Sequence, residues 1–147
     1  MKVLIVYDSM YGNTEALAKA MAAAIGGDVA LARPGEVDLA SLPGLDLLVV
    51  GAPVHGGRPM PSVQAFLDRL PALQSMRVAV FDTRLTSRFV KMFGYAADRA
   101  AEALKAKGGV LVGAPEGFLV KGKKGPLKEG ELERAAGWAR SLLEQVK

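Results

Sequence analysis

Lys2-Val3-Leu4-Ile5-Val6-Tyr7-Asp8-Ser9-Met10-Tyr11-Gly12-Asn13-Thr14 contains the transition that decides the fold. Val3–Tyr7 is an unbroken apolar run, which predicts a strand buried on both faces. Asp8–Thr14 is polar and contains a glycine. From Glu15 the period changes: Leu17, Met21 and Ala24/Ile25 fall on one face of a helix predicted over Glu15–Ile25. Gly26-Gly27 ends that helix, because glycine tolerates the left-handed conformation at a helix C-terminus. A buried strand feeding a loop and then an amphipathic helix is the opening of a parallel α/β sheet.

The same alternation continues outward. Val29–Ala32 reads as a weaker strand, and Arg33-Pro34-Gly35 as a turn. Val37–Leu42 has room for one or two helical turns, and Leu45–Val50 reads as an apolar strand ending at Gly51-Ala52-Pro53. After a Gly- and Pro-rich loop (53–61), Val63, Phe66, Leu67 and Leu70 keep helical spacing. Val78–Phe81 is a strand, Asp82–Met92 a basic loop, and Phe93–Lys107 a helix stopped by Gly108-Gly109. Val110–Val112 is a strand broken at 113–117 and resumed at Phe118–Val120. Lys121–Gly125 is a basic turn. The last helix is predicted from about Glu129 to Val146, with Leu132, Ala135/Ala136, Ala139 and Leu142/Leu143 facing inward and Trp138 in the core. The expectation is one domain, 1–147, holding a doubly wound parallel sheet. Its ligands should sit beyond the carboxyl ends of the strands.

Composition narrows the chemistry. The 147 residues are 50% apolar and 23% charged, proportions of a globular chain with a sizeable core. There is no cysteine, which excludes disulfides, thiolate metal sites and cysteine nucleophiles. One histidine, His55, rules out a His-rich metal centre, and any triad needing a histidine must use that one; no metal site is expected. No apolar run approaches the roughly 20 residues of a membrane span. Without a targeting segment, the expected location is the cytoplasm. The net charge of +4 is uneven: residues 83–147 carry thirteen basic against seven acidic side chains. That half is either a solvated basic face or a docking face for an acidic partner.

The first loop has the makings of an anion site. Ser9, Asn13 and Thr14 supply short donors, Gly12 permits a tight turn, and the first N–H groups of the helix point outward. No lysine or arginine lies in it, so neutral donors would carry the binding. The plainer alternative is an ordinary Ser/Asn/Thr helix cap, which needs only one such residue. G-x-x-x-x-G-K-[ST], G-x-G-x-x-G after the first strand and G-x-S-x-G are all absent, which excludes those nucleotide and hydrolase motifs. A phosphoacceptor receiver is excluded as well, since the third strand ends Val49-Val50-Gly51 without an aspartate.

Three segments together resemble the flavodoxin family across essentially the whole chain. Ser9-Met10-Tyr11-Gly12-Asn13-Thr14 fits that family's phosphate loop, [ST]-x-x-G-[NT]-T. Gly51-Ala52-Pro53-Val54-His55-Gly56-Gly57-Arg58-Pro59 is similar to its first flavin loop. Phe81-Asp82-Thr83-Arg84, with Phe93-Gly94, stands at the position of its second. The resemblance implies a flavodoxin-like three-layer α/β sandwich: a five-stranded parallel sheet in order 2-1-3-4-5 with helices on both faces. It also implies one non-covalent FMN. The backbone of Pro53, Val54, His55, Gly56, Gly57 and Arg58 would then meet one edge of the flavin ring, and that of Asp82, Thr83 and Arg84 the other.

Two departures from the family stand out. No tryptophan is placed to flank the ring. His55, Val54 or Met60 must cover one face or leave it open, and Phe89 is the candidate on the other side. His55 is otherwise a solvated loop residue. Arg58, Arg84, Arg88 and Lys91 also put positive charge in the flavin loops, where acidic flavodoxins have little. Nearby cations favour an anionic group, so the potential for forming the fully reduced flavin should be less negative. The resemblance implies an electron-transfer protein shuttling between redox partners, for which no catalytic side chain is required; the charge of this chain points to the basic 84–124 region as the place where a partner would dock. The alternatives are a small FMN-dependent oxidoreductase acting on quinones or a tetrapyrrole, and a module that keeps the fold without FMN. Nothing in the basic segment has the aromatic interleaving of a nucleic-acid surface, so no nucleic-acid partner is expected.

Overall fold

β1 (Lys2–Tyr7) sends alternate side chains into two different cores. Val3, Ile5 and Tyr7 pack with Leu17, Ala18 and Met21, while Leu4 and Val6 pack with Val63, Phe66 and Leu67. A strand with period-two geometry and no polar face can be accommodated only between two helical layers. The structure is a computed structural model and describes residues 1–55, 58–85, 96–122 and 124–147. One layer contains α1 (Asn13–Ile25) and α4 (Glu131–Val146). The other contains α2 (Pro61–Arg69) and α3 (Ala96–Ala106).

Between the layers lies a parallel sheet. Its long strands are β1, β2 (Asp28–Ala32), β3 (Leu47–His55) and β5 (Arg77–Leu85), and β4 (Arg58–Pro59) is a short antiparallel hairpin on β3. The fifth position is split, as the sequence predicts. β6 (Val110–Leu111) pairs with the start of β5 and β7 (Glu116–Val120) with its end. The path β2-β1-β3-β5-β6, with the hairpin set aside, is the expected 2-1-3-4-5 order of a flavodoxin-like α/β fold. The reversal in strand order places the carboxyl ends of β1, β3 and β5 side by side.

Three expectations need correction. β3 does not stop at Val50 but continues to His55. Gly51 still pairs with Tyr7, and Pro53 lies beyond the end of β1, so its missing N–H breaks no ladder on that side. β5 likewise runs through Asp82–Arg84 to Leu85, with β3 on one side and β7 on the other, where a basic loop was expected. In α4, Leu132 is 46% exposed rather than inward. The inner position of the first turn is taken by buried Glu131, whose carboxylate accepts the Leu119 N–H at 2.7 Å and is gripped by Arg134. Trp138 is half-buried and meets Phe81 and Phe118 edge-on at centroid distances of 5.9 and 6.0 Å.

Gly51 makes this aromatic cluster possible, since a Cβ there would overlap the Phe81 ring. Gly51→Ala should therefore lower stability by about 2 kcal/mol, the usual scale of overpacking in a rigid core. Urea denaturation checks this, with a shift in midpoint at unchanged slope expected.

Candidate functional site

The turn from β1 into α1 is built so that its side chains do not cap the helix. Gly12 occupies the N-cap position at φ 90°, in the left-handed region that glycine adopts without strain, and α1 has no side-chain cap. Ser9 Oγ instead accepts the Gly12 N–H at 2.9 Å. Asn13 Nδ2 donates to the Lys124 carbonyl at 3.2 Å, and Thr14 Oγ1 lies 3.4 Å from Thr83 Oγ1. Among the described residues, the N–H groups of Asn13, Thr14 and Glu15 find no acceptor. The simple-cap reading of these residues therefore does not hold. The loop keeps its amides available to a ligand.

Its two ends are clamped from below. Arg33, just past β2, donates to Asp8 Oδ1 at 2.6 Å and Glu15 Oε2 at 3.0 Å, with its guanidinium 4.8 Å from the Tyr7 ring centroid. Ser62 Oγ, at the start of α2, donates to the other Asp8 oxygen. Partial burial works against ionisation of Asp8. Hydrogen bonds from Ser62, the Ser9 N–H and Arg33, together with the Arg33 charge, outweigh it and hold the carboxyl below its ordinary value.

A cavity of about 190 Å³ opens over this loop at the carboxyl edge of the sheet. Ser9, Asn13, Thr14 and Thr83 contribute its polar groups. Met10, Tyr11, Pro53, Met60, Leu85 and Val120 contribute apolar or aromatic surface. Met10 and Tyr11 are 49% and 41% exposed, and Thr14 is 1% exposed. Neutral donors beside apolar walls suit a ligand with a phosphate at one end and a flat, largely apolar body. These residues therefore fit FMN.

The expected site residues fall into three groups. Ser9, Met10, Tyr11, Asn13, Thr14, Pro53 and Thr83 line the cavity, and Gly12 shapes the turn beneath it. The side chains of Asp82 and Arg84, whose expected contact with the ring is through the backbone, do not line it. They alternate with Thr83 and point to the opposite face of β5, where Arg84 forms a two-pronged pair with buried Asp82 at 2.7 and 2.8 Å. The same carboxylate accepts the Ala97 N–H at 2.9 Å, pinning the start of α3. Burial pushes the Asp82 carboxyl up, opposed by Arg84 and that N–H. Gly56, Gly57, Arg88, Phe89, Lys91, Phe93 and Gly94 lie outside the described residues, as do the side chains of Val54, His55 and Arg58. Leu85 and Val120 were not anticipated as lining. The signal for Leu85 is its two-residue step from Thr83 along one strand face. Among the described residues no cluster of acidic, histidine or cysteine side chains could hold a metal ion. None of the helices is long and apolar enough to cross a membrane, again among the described residues.

With this geometry established, comparison with known proteins is decisive. The family model described as the flavodoxin domain matches residues 4–115. The chain belongs to the flavodoxin family. Solved flavodoxin structures share the fold end to end. One from the domain Archaea superposes with TM-score 0.82 at 24% identity, covering 99% of each chain. Flavodoxin 2 from Bacillus cereus gives 0.80 at 24% identity, again over 99% of both. The two-electron reduced flavodoxin of Megasphaera elsdenii gives 0.72 at 24% identity, over 93% of this chain and 97% of that one. A search of curated protein sequences returns no match.

Asp8 offers a test of how this flavodoxin loop is anchored. Its folded pKa is depressed, so its stabilising effect is complete above the unfolded value, near 3.8, and is lost as pH falls through the lower folded value. Asp8→Asn should be less stable than the unaltered chain at neutral pH, with the deficit closing in acid below that value. Denaturation midpoints measured across the acid range check this, and a deficit that stays constant would contradict the assignment.

Proposed function

We propose that the chain binds one FMN with its phosphate on the Ser9–Thr14 loop and serves as an electron carrier between redox partners. The observation carrying this reading is the uncapped start of α1 at Asn13 and Thr14, residues that line a cleft with polar donors and apolar walls. Backbone amides, Ser9, Asn13, Thr14 and Thr83 would hold the phosphate end. Pro53, Met60, Leu85 and Val120, with the exposed Met10 and Tyr11, would cover the ring and its edges. Bound FMN supplies reversible redox chemistry, and the protein supplies binding, orientation and electrostatics. Apart from the Tyr11 hydroxyl, no described lining residue carries a titratable side chain, which suits a carrier better than an acid–base enzyme.

Several of the described cations in the basic region are already engaged within the chain. Arg84 is paired with Asp82, Lys105 with Glu102, and Lys107 donates to the carbonyls of Asp68 and Leu70. Lys121, next to the cavity wall at Val120, is the described cation we assign to partner docking. Arg84 also drops out of the expected effect on flavin potential, because its charge is neutralised on the far face of β5.

The test is titration of the purified chain with FMN, followed by visible absorbance and flavin fluorescence. A stoichiometric endpoint with FMN, and weaker binding of riboflavin, is expected. Thr14→Val, nearly isosteric at a buried site, should weaken FMN by about tenfold to a hundredfold, the scale of one hydrogen bond to a charged group. Unchanged affinity would remove Thr14 from the phosphate site. Rapid multiple turnover of NAD(P)H with quinones, without an added reductase, would replace the carrier reading with an FMN-dependent oxidoreductase.

A further inference from the structure

We infer that Lys124 supplies the positive charge that the phosphate loop lacks in its own sequence, an assignment that rests on the FMN reading above. No lysine or arginine occurs between Asp8 and Thr14. The fold brings one in from 111 positions away. β7 does not pass directly into α4. It turns back on itself, with a bridge between Val120 and Leu127, Lys121 N–H on the Pro126 carbonyl at 2.9 Å and Lys128 N–H on the Leu119 carbonyl at 2.9 Å. The tip closes through Gly125 N–H on the Gly122 carbonyl at 2.9 Å.

That tip is seated on the loop at two points. Asn13 Nδ2 holds the Lys124 carbonyl, and Gly125, at φ 98°, presses against the Asn13 carboxamide where a Cβ would overlap it. The Lys124 ammonium then lies 5.9 Å from the ring centroid of Tyr11, a residue lining the cavity. Among the described residues it makes no ion pair, whereas Arg33 and Lys19 on this side of the sheet are engaged by Asp8 and Glu15. An exposed ammonium on a fixed backbone acts as a point charge toward a phosphate. Its attraction is screened by salt over about 8 Å at physiological ionic strength.

The experiment is a two-by-two-by-two comparison: the unaltered chain and Lys124→Gln, each titrated with FMN and with riboflavin, at low and high salt. Lys124→Gln should weaken FMN about threefold to fivefold at low salt, the scale of an exposed charge pair, and leave riboflavin unchanged. The FMN gap should close at high salt, and Lys124→Arg should retain most of the affinity. Equal weakening of both ligands, or of neither, would overturn the assignment and leave Lys124 as packing on Tyr11. If the unaltered chain binds FMN no more tightly than riboflavin, the phosphate reading itself fails and this assignment falls with it.

Discussion

Backbone amides at the start of α1 that have no acceptor among the described residues are the constraint around which the site is organised. A helix leaves its first N–H groups unpaired, and most helices satisfy them with a Ser, Thr, Asp or Asn side chain. Here each residue that could have done so is committed elsewhere: Ser9 to the Gly12 amide, Asn13 to the turn after β7, and Thr14 toward Thr83. The amides therefore stay unpaired at the edge of the cleft that Asn13 and Thr14 line, where the positive end of the helix dipole also lies. An anion at this point would satisfy donors that the fold itself leaves open.

Keeping that arrangement in place takes contacts from every neighbouring element. Arg33 ties both ends of the loop to β2, and Ser62 ties Asp8 to α2. Gly125 lets the β7 turn come close enough to lean on Asn13. On the opposite face of the sheet, the Asp82–Arg84 pair joins β5 to α3. Removing one partner of such a buried pair is costly, so it serves the carboxyl edge of β5 as a structural joint. The polarity of this region is therefore divided by face. Neutral donors look into the cleft, and the paired charges lie behind or beneath it.

Much of this was legible in the sequence. The run Val3–Tyr7 and the period-3.6 pattern after it identify β1 and α1, since a strand with no polar side must be covered on both faces. The interruption of the fifth strand and its resumption follow from the same apolar alternation, although β7 already begins at Glu116, inside the expected break at 113–117. The polar stretch from Asp82 was misread because charged residues look like loop until their partner is known. Asp82 and Arg84 cancel each other at a two-residue spacing, which is itself a strand signal. Leu132 was misplaced because a hydrogen-bonded Glu131 can take the inner position that an apolar side chain was expected to fill. The approach of Lys124 to Tyr11 has no local signature at all, being a product of the sheet order and the turn after β7.

The most direct measurement of the central claim is the amide resonances of Asn13, Thr14 and Glu15 in nuclear magnetic resonance spectra, recorded as FMN and then riboflavin is added. The account predicts large downfield proton shifts at these three amides with FMN and small ones with riboflavin, as donors to a phosphate require. Amides that respond equally to both ligands, or to neither, would contradict it.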